Sequence, residues 1–211
     1  GPTNSGKTHR SLDFRAKIGS GCYAGPLRAL AWEVRHSVEA RAKKVWGEHP
    51  PTVGLWTGEE SRDPDAPVLC CTAEVAPSHG NVLVLDEAHW CADPQRGHAW
   101  TRLLLAARSG RYRHVRICGP VQSEPLLRRV FEKHDHAVTV HRTQRRSRLQ
   151  FERDPIADLP AFLQQAKSER RFVAVVAFSR AAVLSLAGIA RKAGARASVI
   201  FGKLPPEARR K

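Results

Sequence analysis

Residues Gly1-Pro2-Thr3-Asn4-Ser5-Gly6-Lys7-Thr8 fit the pattern G-x-x-x-x-G-K-[ST] at every fixed position, and no other feature of the chain restricts its fold so tightly. The pattern needs a glycine-permitted turn whose successive N–H groups point at phosphate oxygens, followed by a helix whose positive end completes the cradle. Within it Lys7 is placed to reach β- and γ-phosphates. The Thr8 hydroxyl is placed to serve Mg²⁺, which takes few protein ligands and keeps most of its waters. All eight residues are candidate nucleotide-binding residues.

A second motif answers the first. Asn81-Val82-Leu83-Val84-Leu85 is an unbroken apolar run ending in Asp86-Glu87, as expected of a parallel strand buried on both faces that carries its acids at the ligand-binding end of a sheet. Asp86 is the candidate Mg²⁺ ligand, and Glu87 the candidate base that orients and deprotonates an attacking water. A phosphate loop and an acid-tipped strand together predict nucleoside triphosphate hydrolysis, with ATP and Mg²⁺ as substrate and cofactor.

Strand and helix patterns alternate along the rest of the chain. They predict a helix over 7–17, a strand over 21–24, a turn at Gly25-Pro26, and a helix over 27–45 with Pro26 at its first position and Leu30, Val34, Val38 and Ala42 at helical spacing. Strands follow over 52–56 and 68–71, separated by a charged, proline-rich loop over 58–67. Beyond Glu87 the pattern gives a helix over 97–109, a strand over 114–118 entering Gly119-Pro120, a helix over 123–133 and a strand over 137–140. Short crossovers between such strands imply an α/β fold with a doubly wound parallel sheet of the RecA type. The expected domain covers 1–143 and lacks its initial strand. A basic linker over 144–153 leads to the start of a second RecA-like lobe over 154–211, with helices at 159–167 and 180–192 and strands at 172–178 and 197–201.

Composition narrows the partners. A formal charge of +15 on 211 residues and a pI near 10.5 favour a polyanion, because Lys and Arg neutralise phosphates and release counterions. Arg145, Arg146 and Arg148 either grip such phosphates or are solvated. Trp56 and Trp90 either stack on bases or pack in the core. The five cysteines, Cys22, Cys70, Cys71, Cys91 and Cys118, include no C-x-x-C, so reduced and mostly buried thiols are expected and no structural metal. A zinc pair of Cys91 and His98 would lack its second half. No apolar stretch approaches the roughly 20 residues that span a bilayer, so no membrane partner is expected. The absence of Met and the start directly at the phosphate loop point to a fragment, in which localisation is not encoded.

Several stretches carry a resemblance: GPTNSGKTHRSL from Gly1, GCYAGPLRALAWEV from Gly21, TGEE from Thr57, CTAEV from Cys71, VLDEAHW from Val84, DPQRGHAWTRLLL from Asp93, CGP from Cys118 and VIFGKLPPEAR from Val199. In this order and over nearly the whole chain they resemble superfamily-two DExH RNA helicases, most closely the suppressor-of-Var type helicase of the mitochondrial RNA degradosome and its bacterial relatives. The mitochondrial members carry other residues after Asp-Glu, where this chain has Ala88 and His89.

The resemblance implies an ATP-dependent RNA helicase acting on single-stranded RNA or DNA, with an exoribonuclease as a further partner and a bacterial cytoplasmic or mitochondrial matrix location. It implies that His89 relays nucleotide state and that Gly119 takes part in coupling. It assigns nucleic-acid contacts to Pro26, Leu27, Arg28, Thr57, Gly58, Glu59, Thr72, Glu74, Phe178 and Ser179. Arginine fingers belong to a later motif, so these residues alone are expected to bind ATP and hydrolyse it poorly. Two alternatives stay open: another P-loop enzyme, and a catalytically silent RNA-binding module of the same fold.

Overall fold

The computed structural model describes residues 11–13, 19–132, 137–142 and 158–201. The chain divides into two compact units, Gly1–Arg148 and Leu149–Lys211. The linker expected over 144–153 lies outside the described residues.

In the first unit six strands form one sheet: β1 Gly21–Gly25, β2 Val53–Trp56, β3 Ser61–Arg62, β4 Val68–Thr72, β5 Gly80–Leu85 and β6 Tyr112–Ile117, in the order β3-β2-β4-β1-β5-β6. Every pairing is parallel except β2 with β3. The two-residue strand β3 corrects the expectation of a plain loop over 58–67: Leu55 and Trp56 pair antiparallel with Arg62 and Ser61. Its brevity and its exposed polar residues suit a sheet margin, where unpaired backbone would otherwise invite association.

The apolar runs are continuous because both sheet faces are covered. Alternate side chains go to opposite layers. Cys22, Ala24, Leu69, Cys71, Leu83 and Leu85 join one buried cluster with Trp100, Leu103, Ala107 and Phe131. Tyr23, Val68, Cys70, Val82, Val84, Val53 and Leu55 join the other with Leu12, Ala31, Val34 and Val38. Helix α1, Arg28–Trp46, covers the second cluster with Ala31, Val34, Val38 and Ala42. Helix α2, Gly97–Arg108, and helix α3, Glu124–Phe131, cover the first. Burying a Val or Leu side chain contributes about 1.5–3 kcal/mol, so the two faces supply most of what holds this unit together.

Pro26 is not the first helical residue. Leu27, extended at φ −127° and ψ 134°, is the N-cap, and the helix begins at Arg28. The segment 137–140 forms no strand; Val138 packs partly against the first cluster instead.

Gly54 lies in β2 where a Cβ would sit 2.0 Å from the Asp63 carbonyl oxygen, so the return from β3 crosses β2 at backbone distance. Gly54→Ala is expected to destabilise the unit by about 1–3 kcal/mol, read as a lower urea midpoint; an unchanged midpoint would show that the 61–66 segment yields freely.

In the second unit, helix α4 spans Leu159–Ser168 and helix α5 spans Arg180–Lys192. Each has a side-chain cap: Asp158 Oδ1 accepts from the Ala161 N–H at 3.2 Å, and Ser179 Oγ accepts from the Ala182 N–H at 3.1 Å. Leu163, Ala166, Ala187 and Ala190 are the buried residues of the pair. The strands expected over 172–178 and 197–201 are not formed within the described residues. Phe172, Val176, Phe178 and Ile200 are exposed. A run that is apolar on both sides becomes a strand only with hydrogen-bonded neighbours and two covered faces, and the described residues supply neither there.

Candidate functional site at the strand ends

Because β1, β2, β4, β5 and β6 run parallel, the residues that follow them emerge along one margin of the sheet. The phosphate-loop residues Gly1, Pro2, Thr3, Asn4, Ser5, Gly6, Lys7 and Thr8 lie outside the described residues. Just beyond them Ser11 is buried, with Oγ 3.3 Å from Cys118 Sγ, and Leu12 joins the cluster under α1. The segment leaving the loop thus meets the end of β6.

Asp86 terminates β5 and is 2% exposed. Its carboxylate is held from two directions: Oδ2 accepts the Tyr23 hydroxyl at 3.0 Å and Oδ1 accepts the Glu87 N–H at 3.0 Å. Its main chain is held as well, for the Trp100 indole N–H donates to the Asp86 carbonyl at 3.0 Å and the Asp86 N–H donates to Ala24 at 2.8 Å. Burial, and next the charge of Asp86, push the Tyr23 phenol well above its ordinary range, so it stays a donor at any pH of interest. Tyr23 and Trp100 escape sequence reasoning. Tyr23 lies 63 residues from Asp86, and only the pairing of β1 with β5 brings the two together.

Glu87 adopts the left-handed conformation, φ 50° and ψ 54°, which costs a non-glycine residue roughly 1–2 kcal/mol. Such strain at a strand end is sustained by its surroundings: the Ala88 N–H donates to the Cys118 carbonyl at 2.8 Å and the Trp90 N–H to the Glu87 carbonyl at 3.0 Å, closing a 3-10 turn over Ala88–Ala92. The His89 imidazole Nδ1 lies 3.3 Å from Glu87 Oε2. Gly119 abuts Ala88, with a Cβ position 3.6 Å from the Ala88 methyl. The acids at β5 and the turn after β6 are therefore one packed assembly.

The expected nucleic-acid contacts of the first unit fall along the same margin. Leu27 is exposed beside Pro26. Thr57 closes the turn Thr57-Gly58-Glu59-Glu60, its Oγ1 accepting the Glu60 N–H at 3.1 Å while its own N–H donates to the Glu60 carbonyl at 2.8 Å. Arg28 pairs with Glu59, joining the start of α1 to that turn. Thr72 is buried at the end of β4. Glu74 pairs with Arg96 at 2.7 Å. Burial raises the Glu74 pKa, but the hydrogen bond and charge of Arg96 outweigh it and hold the carboxyl below its usual range. Neither Glu59 nor Glu74 presents a bare carboxylate. Phe178 is exposed and Ser179 caps α5, both in the second unit. Trp56 is exposed, whereas Trp90 stacks on Trp100 with ring centroids 5.7 Å apart.

No disulfide joins the five cysteines. Among the described residues no three His, Cys, Asp or Glu side chains cluster to hold a metal ion, and no helix is long and apolar enough to cross a membrane.

Residues 1–143 match the family model of the DEXQ-box helicase domain of Suv3; the fourth residue of that box is His89 here. Similar proteins include the mitochondrial ATP-dependent RNA helicase SUV3 of Saccharomyces cerevisiae, 35% identical over 99% of this chain and 27% of its own length. The mitochondrial SUV3L of Oryza sativa subsp. japonica is 33% identical over 100% of this chain and 27% of its own. The SUV3 homolog of Drosophila melanogaster is 30% identical over 98% and 26%. The chain thus spans about a quarter of the length of these relatives.

Proposed function

The chain belongs to the Suv3 helicase family, and on that premise we propose that the protein it represents is an ATP-dependent RNA helicase. The observation that carries the reading is the buried Asp86 carboxylate, fixed by Tyr23 and the Glu87 N–H at the tip of β5, in a chain whose phosphate loop is complete in sequence.

In this reading Lys7 and the loop residues Gly1 to Thr8 bind ATP. The donor chemistry at Asp86 fits magnesium, since a buried carboxylate pinned by two hydrogen bonds keeps lone pairs oriented and supplies the hard oxygen that cation prefers. Asp86 and Thr8 would hold the ion, which when bound neutralises charge on the transferring phosphoryl group. Glu87 positions and deprotonates water. Its left-handed backbone aims the side chain away from the path of β5 and His89 lies beside its carboxylate, and His89 with Gly119 passes nucleotide state to the turn after β6.

In the first unit single-stranded RNA would run along the margin formed by Pro26, Leu27, Arg28, Thr57, Gly58 and Thr72; Phe178 and Ser179 are candidate RNA contacts of the second unit, taken by itself. Relatives bearing mitochondrial names support a mitochondrial matrix setting; the bacterial cytoplasmic alternative and an exoribonuclease partner rest on the family resemblance alone.

The test is ATP turnover by the full-length protein with no polymer, with single-stranded RNA and with matched DNA. RNA-stimulated turnover is expected, and Lys7→Ala is expected to abolish ATP binding measured by calorimetry. Turnover indifferent to both polymers would replace the helicase by another P-loop NTPase.

A further inference from the structure

The segment Asp93-Pro94-Gln95-Arg96-Gly97 is not among the residues assigned to nucleotide above, yet its backbone is built to aim one side chain. Asp93 Oδ1 accepts the N–H groups of Gln95 and Arg96, at 3.0 and 2.7 Å, and the Gly97 N–H donates to the Asp93 carbonyl at 2.9 Å. At Gly97 a Cβ would lie 2.5 Å from the Cys91 carbonyl oxygen, so only glycine lets α2 start this close beneath the 3-10 turn after Glu87. The result places Arg96 at the junction of three strand-end loops.

Its guanidinium makes four contacts. Nε meets Glu74 Oε1 at 2.7 Å, in the loop after β4. Nη2 donates to the Pro26 carbonyl at 2.7 Å, in the turn after β1. The planar group lies over the rings of Trp90 and Trp100, 5.0 and 5.6 Å from their centroids. Trp90 belongs to the turn that follows the acids, and Trp100 donates to the Asp86 carbonyl. One side chain therefore ties the turn opening α1 and the loop after β4 to the indole pair that braces Asp86. Only arginine combines a planar fork of donors with a face that stacks on aromatic rings.

We infer that Arg96 is a positioning residue that couples the nucleotide site to the nucleic-acid margin, by holding the Pro26 turn and Glu74 in register with the Trp90–Trp100 pair. The inference rests on the helicase reading above. Asp86 keeps Tyr23, the Glu87 N–H and Trp100 when Arg96 is replaced, so RNA-free ATP turnover should survive. What should be lost is the mutual effect of nucleotide and RNA, which linkage makes reciprocal.

The experiment measures the affinity of a fluorescent single-stranded RNA for the full-length protein with and without a non-hydrolysable ATP analogue. In the wild type the analogue changes RNA affinity, and in Arg96→Gln that ratio is expected to shrink about fivefold or more toward unity, with RNA-free turnover within about twofold of wild type. Arg96→Lys keeps the charge and the stem but cannot make both hydrogen bonds and the stack. It is expected to fold where the Gln form does not, and to show the same loss. An unchanged ratio in the Lys form overturns the inference, as does equal weakening of RNA binding with and without analogue, the mark of a merely structural role. No RNA binding by the wild type defeats the helicase reading itself.

Discussion

Glu87→Gln is expected to lower the RNA-stimulated ATP turnover of the full-length protein by about 10²–10⁴-fold while leaving ATP affinity nearly unchanged. The change removes the proton-accepting oxygen and keeps the size and polarity of the side chain. The left-handed backbone at Glu87 is a property of the turn closed by the Ala88, Trp90 and Cys118 hydrogen bonds, so it should persist in the variant. His89, 3.3 Å from Glu87 Oε2, can donate equally to the amide oxygen. Single-turnover hydrolysis together with equilibrium binding of ATP separates the two effects. Wild-type turnover in the Gln form would remove Glu87 from the base role, whereas loss of binding would mean that Glu87 helps assemble the phosphate site.

The second large effect is on stability. Trp100 is fully buried, stacks on Trp90, belongs to the cluster under α2 and donates its indole N–H to the Asp86 carbonyl. Trp100→Ala should destabilise the first unit by about 3–5 kcal/mol, since it leaves a cavity that the rigid sheet beneath cannot collapse into. It also removes an indole N–H that donates to the buried Asp86 carbonyl. Trp100→Phe retains most of the packing, so its cost of about 1–3 kcal/mol isolates the lost hydrogen bond. Urea unfolding followed by circular dichroism would measure both. Equal losses for the two variants would mean that the hydrogen bond, and not the volume, dominates at this position.

Much of the fold was legible because its signals are local. β5 and helix α2 fall within one or two residues of expectation, and strict alternation of strand and helix demanded parallel pairing. Reading failed where a partner decides the outcome. Residues 137–140, 172–178 and 197–201 have the composition of strands but, among the described residues, no neighbouring strand to pair with. Ser61–Arg62 has no strand composition, yet pairs because the chain turns back beside β2. Glu59 and Glu74 read alike as acids on a nucleic-acid track. Arg28 and Arg96 convert both into half of an ion pair, a change visible only when distant loops are brought side by side.

The sequence by itself determined where the candidate chemistry lies: a phosphate-loop pattern at Gly1 to Thr8, two acids at the end of a buried strand, and a basic composition suited to a polyanion. These follow from residue type and short-range spacing, because a glycine-rich pattern and an acid-tipped apolar run are each complete within a few residues. Tertiary structure alone decided what holds those acids in place. Tyr23 reaches Asp86 through the parallel pairing of β1 with β5, and Trp100 reaches it through the packing of α2 against the sheet; contacts made by register and packing leave no short-range pattern to read.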